Sequence, residues 1–190
     1  MRPVEVSEVK NIAEYELHRP AWRPQIMALK DRRRIRVGEH LTLLFENRDT
    51  VLYQIQEMLR IERIVRPEEI AHEVRTYNEL IPAERELSAT LLIEYDTPAE
   101  REVHLHELLG LQNHLWLEVA GSRCPARFDD RQMSPERLSS VQYLKFQLSP
   151  EQAAGLPRGA KVLVDHPQYQ AECALTPDQL QELANDLAPA

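Results

Sequence analysis

The chain has 190 residues, 43% of them hydrophobic, with five glycines, thirteen prolines and a formal net charge of −8. That length and hydrophobic content are enough to bury a core without a disulfide or metal staple, and they exclude an intrinsically disordered chain. The negative charge disfavours general nucleic-acid binding, because phosphate is repelled except by a locally basic face.

The N-terminus, Met1 to Val6, lacks the apolar stretch of a signal peptide, and no apolar run approaches a membrane span. These features predict a cytoplasmic chain without membrane contact. Cys124 and Cys173 lack metal-ligand spacing and read as two reduced thiols.

In chain order, Val6, Val9, Ile12 and Ala13 predict a helix over 3–17 with Ser7 as a cap. Pro20 and Pro24 predict a break, and a second short helix follows over Gln25–Arg33. Ile35 and Val37 alternate with arginines, which suggests a strand ended by a turn at Gly38, whereas Leu41–Phe45 fits a strand or a helix start. Asp49–Val65 predicts a helix capped by Asp49 or Thr50, with Val51, Leu52, Ile55, Met58, Leu59, Ile61 and Ile64 facing inward. A partner helix starts at Pro67 and closes at Pro82, with Ile70, Val74, Tyr77 and Leu80 or Ile81 on its inner face.

The period then changes. Strands are expected at Ser88–Tyr95, His114–Ala120 and Val141–Leu148, with a helix at Pro98–Leu109 stopped by Gly110. A hairpin over Lys161–Leu175 turns at Asp165-His166-Pro167-Gln168, and Thr176-Pro177-Asp178 opens a last helix to about Leu187. The fold class is therefore α+β. An antiparallel sheet in the C-terminal half packs with an N-terminal helical hairpin and a C-terminal helix. Residues 1–190 form a single domain, 1–86 mainly helical and 87–190 mainly sheet with one inserted and one terminal helix.

No phosphate-cradling glycine loop, nucleophile elbow, zinc-protease or calcium-loop motif occurs. Three polar clusters remain. The first is Glu46 with Gln54, Glu57 and Arg60, placed on one helix face beside the apolar stripe. Glu46, Glu57, Glu62 and His72 there could ligate iron or another divalent metal, since carboxylates and imidazoles on paired helices build such sites. The bland alternative is that Glu57 pairs with Arg60 or a nearby arginine and pins the helices. The second cluster is the run Lys30, Arg32, Arg33, Arg34 and Arg36, in which Arg33 and Arg34 are candidates for anion binding or for neutralising the acidic helix. The third is Asp165, His166 and Tyr169 at the hairpin turn, where an Asp–His pair could orient an imidazole or merely cap a turn.

Four segments together carry a resemblance: Arg33-Arg34-x-x-Val37-Gly38-x-x-x-Thr42-x-x-Phe45-Glu46-Asn47-Arg48, Gln54-x-x-Glu57-Met58-x-Arg60-x-Glu62, Tyr77-Asn78-Glu79-Leu80-Ile81-Pro82, and Val164-Asp165-His166-Pro167-x-Tyr169. The chain resembles the bacterial family called domain of unknown function 3501 over nearly its whole length. The family supplies no catalytic residue. Its genomic setting implies a role as accessory or interaction protein in an iron-linked redox or oxidative-stress system, with a rubrerythrin-like or iron–sulfur oxidoreductase as partner. A metal-dependent enzyme or sensor and an anionic-ligand binding module are the alternatives, and homo-oligomerisation is left open.

Overall fold

A computed structural model describes residues 1–132 and 134–187. The element order is α1 (Ile12–Arg32), β1 (Arg34–Val37), β2 (Leu41–Glu46), α2 (Arg48–Glu62), α3 (Pro67–Asn78), β3 (Glu86–Ile93), α4 (Pro98–Glu107), β4 (Leu115–Val119), β5 (Ser122–Pro125), β6 (Arg127–Phe128), β7 (Val141–Gln147), α5 (Pro150–Gly155), β8 (Ala160–His166), β9 (Tyr169–Ala174) and α6 (Pro177–Leu187). The class is α+β, and every strand pairing is antiparallel.

The strands form two sheets. Sheet A has the order β1-β2-β3-β7-β6 and sheet B the order β5-β4-β8-β9. They approach each other along two edges, β1 beside β9 and β5 beside β7. Alternation along each strand sends one set of side chains between the sheets. Leu43, Phe45, Leu91 and Phe146 from sheet A meet Leu117, Val162 and Val164 from sheet B in the main core. Full burial of such a side chain is worth roughly 1.5–3 kcal/mol.

The outer face of sheet A is covered as well. A second core of Val4, Val51, Ile55, Leu59, Val74, Leu80 and Ile81 joins α2 and α3, with Tyr143 of β7 packed against it. This double cover explains why all six residues of β2 are buried and why its sequence shows no alternation. β1 and β2 thus bring sheet into the first, mainly helical part of the chain.

Two expectations at the N-terminus are corrected. The stretch 3–17 is a short turn of helix at Val6–Glu8 followed by the start of α1, whose cap is Asn11, accepting from the Glu14 amide, and not Ser7. Pro20 and Pro24 do not break the chain there, because α1 runs through both. The two prolines lie four residues apart, so their missing amides would serve the carbonyls of residues 16 and 20. Glu16, Pro20 and Pro24 are all exposed, which leaves water free to solvate those carbonyls.

The opposite face anchors the helix. Tyr15 is fully buried, Trp22 sets its ring edge-on to Tyr15 and Tyr53, and Ile26 is buried. In α2 the cap is Asn47, accepting from the Asp49 and Thr50 amides, and not Asp49 or Thr50 themselves. Ile61, expected inside, is 62% exposed. Among the described residues no helix is long and apolar enough to cross a membrane.

Candidate functional site

The three predicted clusters have different fates. Glu57 faces α1, where it accepts from the Tyr15 hydroxyl at 2.6 Å, from Arg19 at 2.8 and 3.0 Å, and from Arg60 at 3.3 Å. Burial alone would raise its pKa, but Arg19, Tyr15 and Arg60 outweigh it and hold the carboxyl at about 2. Glu57 is therefore a pin between α1 and α2.

Glu46 lies on the other side of the helix layer. It is buried against sheet A and accepts from the hydroxyls of Thr50 and Thr90. Glu62 and His72 line a shallow surface depression between the end of α2 and α3. Glu46, Glu57, Glu62 and His72 are thus not brought together, and among the described residues no three His, Cys, Asp or Glu side chains form a group able to hold a metal.

The arginine run is divided too. Arg33 is buried and donates to the carbonyls of Phe45 and Glu46 while its guanidinium pairs with Asp186 of α6. Burial raises the Asp186 carboxyl above its ordinary value, against the pull of Arg33. Arg34 is exposed and lies 3.7 Å from Asp31.

The hairpin cluster is internally satisfied. The hydrogen-bond network assigns His166 an Nε2–H that donates to the Leu109 carbonyl at 3.1 Å, while Nδ1 accepts from the Gln168 amide. Asp165 accepts from Trp116 Nε1, His114 Nδ1 and Arg123. The Trp116 bond is the largest influence holding its carboxyl below the usual range. The Tyr169 hydroxyl donates to the Val37 carbonyl at 2.7 Å and accepts from the His40 amide. It sits where a Cβ on Gly38 would be, and Gly38 itself has a left-handed φ of 70°. The turn therefore locks sheet B to the β1–β2 turn. The two thiols are free.

Among the described residues a cleft opens between α3 and the outer face of sheet A, with a volume of about 740 Å³. Thr76, Tyr77 and Leu80 of α3 and the turn after it form one wall; Ser88, Tyr143, Lys145 and Arg127 form the other. A narrower chamber of about 250 Å³ shares Tyr77, Leu80 and Tyr143 with it and continues toward Lys30, Glu46, Gln54 and Thr90. Burial lowers the Lys30 pKa, with Glu46 pulling the other way, and its ammonium lies 5.3 Å above the Tyr53 ring. Burial raises the Tyr143 hydroxyl, and Glu46 adds to the effect. Burial raises Tyr77 also, opposed by a hydrogen bond from Gln54.

The floor of the main cleft is one cross-strand row. Glu46 lies opposite Ser88, Ser88 opposite Lys145, and Lys145 opposite Arg127. Of the predicted residues, the cleft and its chamber bring together Glu46 and Gln54. The sequence reading missed Ser88, Arg127, Tyr143 and Lys145. The signal for Tyr143 and Lys145 was present, since they alternate with Leu144 and Phe146 along a strand that was expected.

Fold and site together define an α+β protein of two facing antiparallel sheets with a helix-roofed cleft on one outer face. The chain belongs to the family described as protein of unknown function DUF3501, which matches residues 3–187. It is similar to a protein of unknown function from Burkholderia pseudomallei K96243 known from a crystal structure. The two are 31% identical with a TM-score of 0.92, over 98% of this chain and 100% of that one. No curated protein matches it.

Proposed function

We propose that the protein acts by recognition, as an accessory module that takes up a small organic molecule in the cleft between α3 and sheet A. The observation that carries this reading is the cleft itself. Its volume of about 740 Å³ falls within the roughly 300–1,000 Å³ of ligand pockets, and its walls mix aromatic and aliphatic surface with a few polar groups. The system served is the one the family resemblance implies, an iron-linked redox or oxidative-stress system with a rubrerythrin-like or iron–sulfur oxidoreductase as partner.

Native mass spectrometry of protein isolated from its host tests the cleft. Wild type is expected to carry an organic adduct that Thr76→Trp lacks, and once the adduct is stripped the two should melt at the same temperature, because Thr76 is exposed on the rim. A wild-type protein with no adduct, and with no uptake of the uncharged dye N-phenyl-1-naphthylamine, overturns the reading. Co-purification from the same host tests the partner, and recovery of no redox protein counts against it.

A further inference from the structure

The cleft floor carries a charge arrangement that the fold does not need. Lys145 and Arg127 stand directly opposite each other on β7 and β6, and like charges in that position repel. Lys145 is neutralised by Glu86 at 2.8 Å, and Arg131 by Asp129 and Glu79. Arg127 takes part in none of these pairs. Beside Lys145 on the next strand, the Ser88 hydroxyl is buried and has no hydrogen-bond partner among the described residues. Ser88 is 1% exposed and lines the same cleft. Ser88 thus keeps a buried donor without an acceptor, with Lys145 one strand away and the exposed guanidinium of Arg127 two strands away in the same row, an arrangement that an anionic group would complete.

Resting on the cleft reading above, we infer that the ligand is a small organic anion, its charged group on Ser88, Lys145 and Arg127 and its apolar body against Tyr77, Leu80 and Tyr143. The ordinary backbone of β3, β7 and β6 places the three polar groups in line, and α3, the turn after it and Tyr143 of β7 supply the apolar wall. The lining as a whole holds four carboxylates (Glu73, Glu79, Glu86 and Asp129) against Arg127, Arg131 and Lys145. Glu79 and Asp129 share Arg131 and Glu86 holds Lys145, so Glu73, on the α3 rim and outside these pairs, is the carboxylate that most directly opposes an anion drawn to Ser88 and Arg127.

Two dyes of the same ring system separate the inference from the reading beneath it. The full-length protein is titrated by fluorescence with 8-anilino-1-naphthalenesulfonate and with uncharged N-phenyl-1-naphthylamine. The sulfonate is expected to bind about tenfold tighter or more, the worth of one charge-assisted hydrogen bond. Arg127→Gln and Ser88→Ala should each remove most of that advantage without changing the affinity for the neutral dye, and Glu73→Gln should increase it. Thr76→Trp should abolish binding of both dyes, which locates them in the cleft. Melting temperatures confirm that each variant is folded. Equal affinities with no effect of Arg127→Gln or Ser88→Ala overturn the anion and leave the cleft reading standing; failure of both dyes to bind overturns both. Displacement of the sulfonate by phosphatidylglycerol vesicles but not by soluble 2-naphthoate overturns the assignment to a soluble small molecule.

Discussion

Glu57 shows how one side chain can look functional in a sequence and prove structural. Its spacing from Gln54 and Arg60 suggested a shared polar face, but the helix divides them. Gln54 lines the chamber behind the cleft, whereas Glu57 and Arg60 meet α1 at Arg19 and Glu16. A carboxylate that accepts three charged or phenolic donors is stable only when ionised. Glu57→Gln is therefore expected to lower the unfolding free energy at neutral pH by about 1.5–3 kcal/mol, the usual range for hydrogen bonds to a charged group. The pH dependence has a definite sign. The folded pKa, about 2, lies below the ordinary glutamate value of 4.5, so this contribution is complete above the unfolded value. It is lost as pH falls from there through the folded value. Urea unfolding of wild type and variant across that window should show the difference in stability shrinking toward zero. A constant difference would mean that Glu57 contributes packing and no charge.

At the scale of elements, one buried guanidinium joins the two ends of the chain. Arg33 ends α1, holds the carbonyls at the end of β2 and pairs with Asp186 in α6. Arg32 adds a 2.6 Å contact to Glu182 of the same helix. Removing Arg33 strands a buried carboxylate, and such losses cost about 3–5 kcal/mol. Arg33→Ala is accordingly expected to lose that much stability and to speed amide exchange in α6 selectively. Arg33→Lys should recover only part, since a lysine keeps the charge but cannot reproduce the planar fork. Uniform exchange across the molecule would refute the local role.

Elements that carry their own signals were legible in the sequence. Pro67 at the first turn of α3, Gly110 after α4 with φ of 97°, and the β8–β9 hairpin all stand where residue chemistry puts them. The rest depended on partners. α1 passes its prolines because Tyr15, Trp22 and Arg19 are held by α2, which no local pattern records. β6 is two residues long, too short for periodicity, so Arg127 could not be placed opposite Lys145.

For the whole molecule, the cleft implies a conflict between stability and binding. Facing sheets and a second helical core bury apolar surface on both sides of sheet A, yet the row under α3 retains an orphaned hydroxyl and two opposed cations. An unpaired buried polar group costs about 1–3 kcal/mol, and replacing it by an apolar group of similar shape removes that penalty. Ser88→Ala is therefore expected to hold or raise the melting temperature of the unliganded protein. Arg127→Gln should hold it too, because the Arg127 side chain is exposed and makes no ion pair among the described residues, while Lys145 is already held by Glu86. Both should then be overtaken by wild type when ligand is added, because a ligand present at a hundred times its dissociation constant stabilises the form that binds it by about 2.7 kcal/mol. Thermal unfolding of the three proteins, with and without 8-anilino-1-naphthalenesulfonate, reads this directly. The order of melting temperatures should invert between the two conditions. Loss of stability in unliganded Ser88→Ala would instead show that its hydroxyl has a structural partner, and the row would then be part of the scaffold.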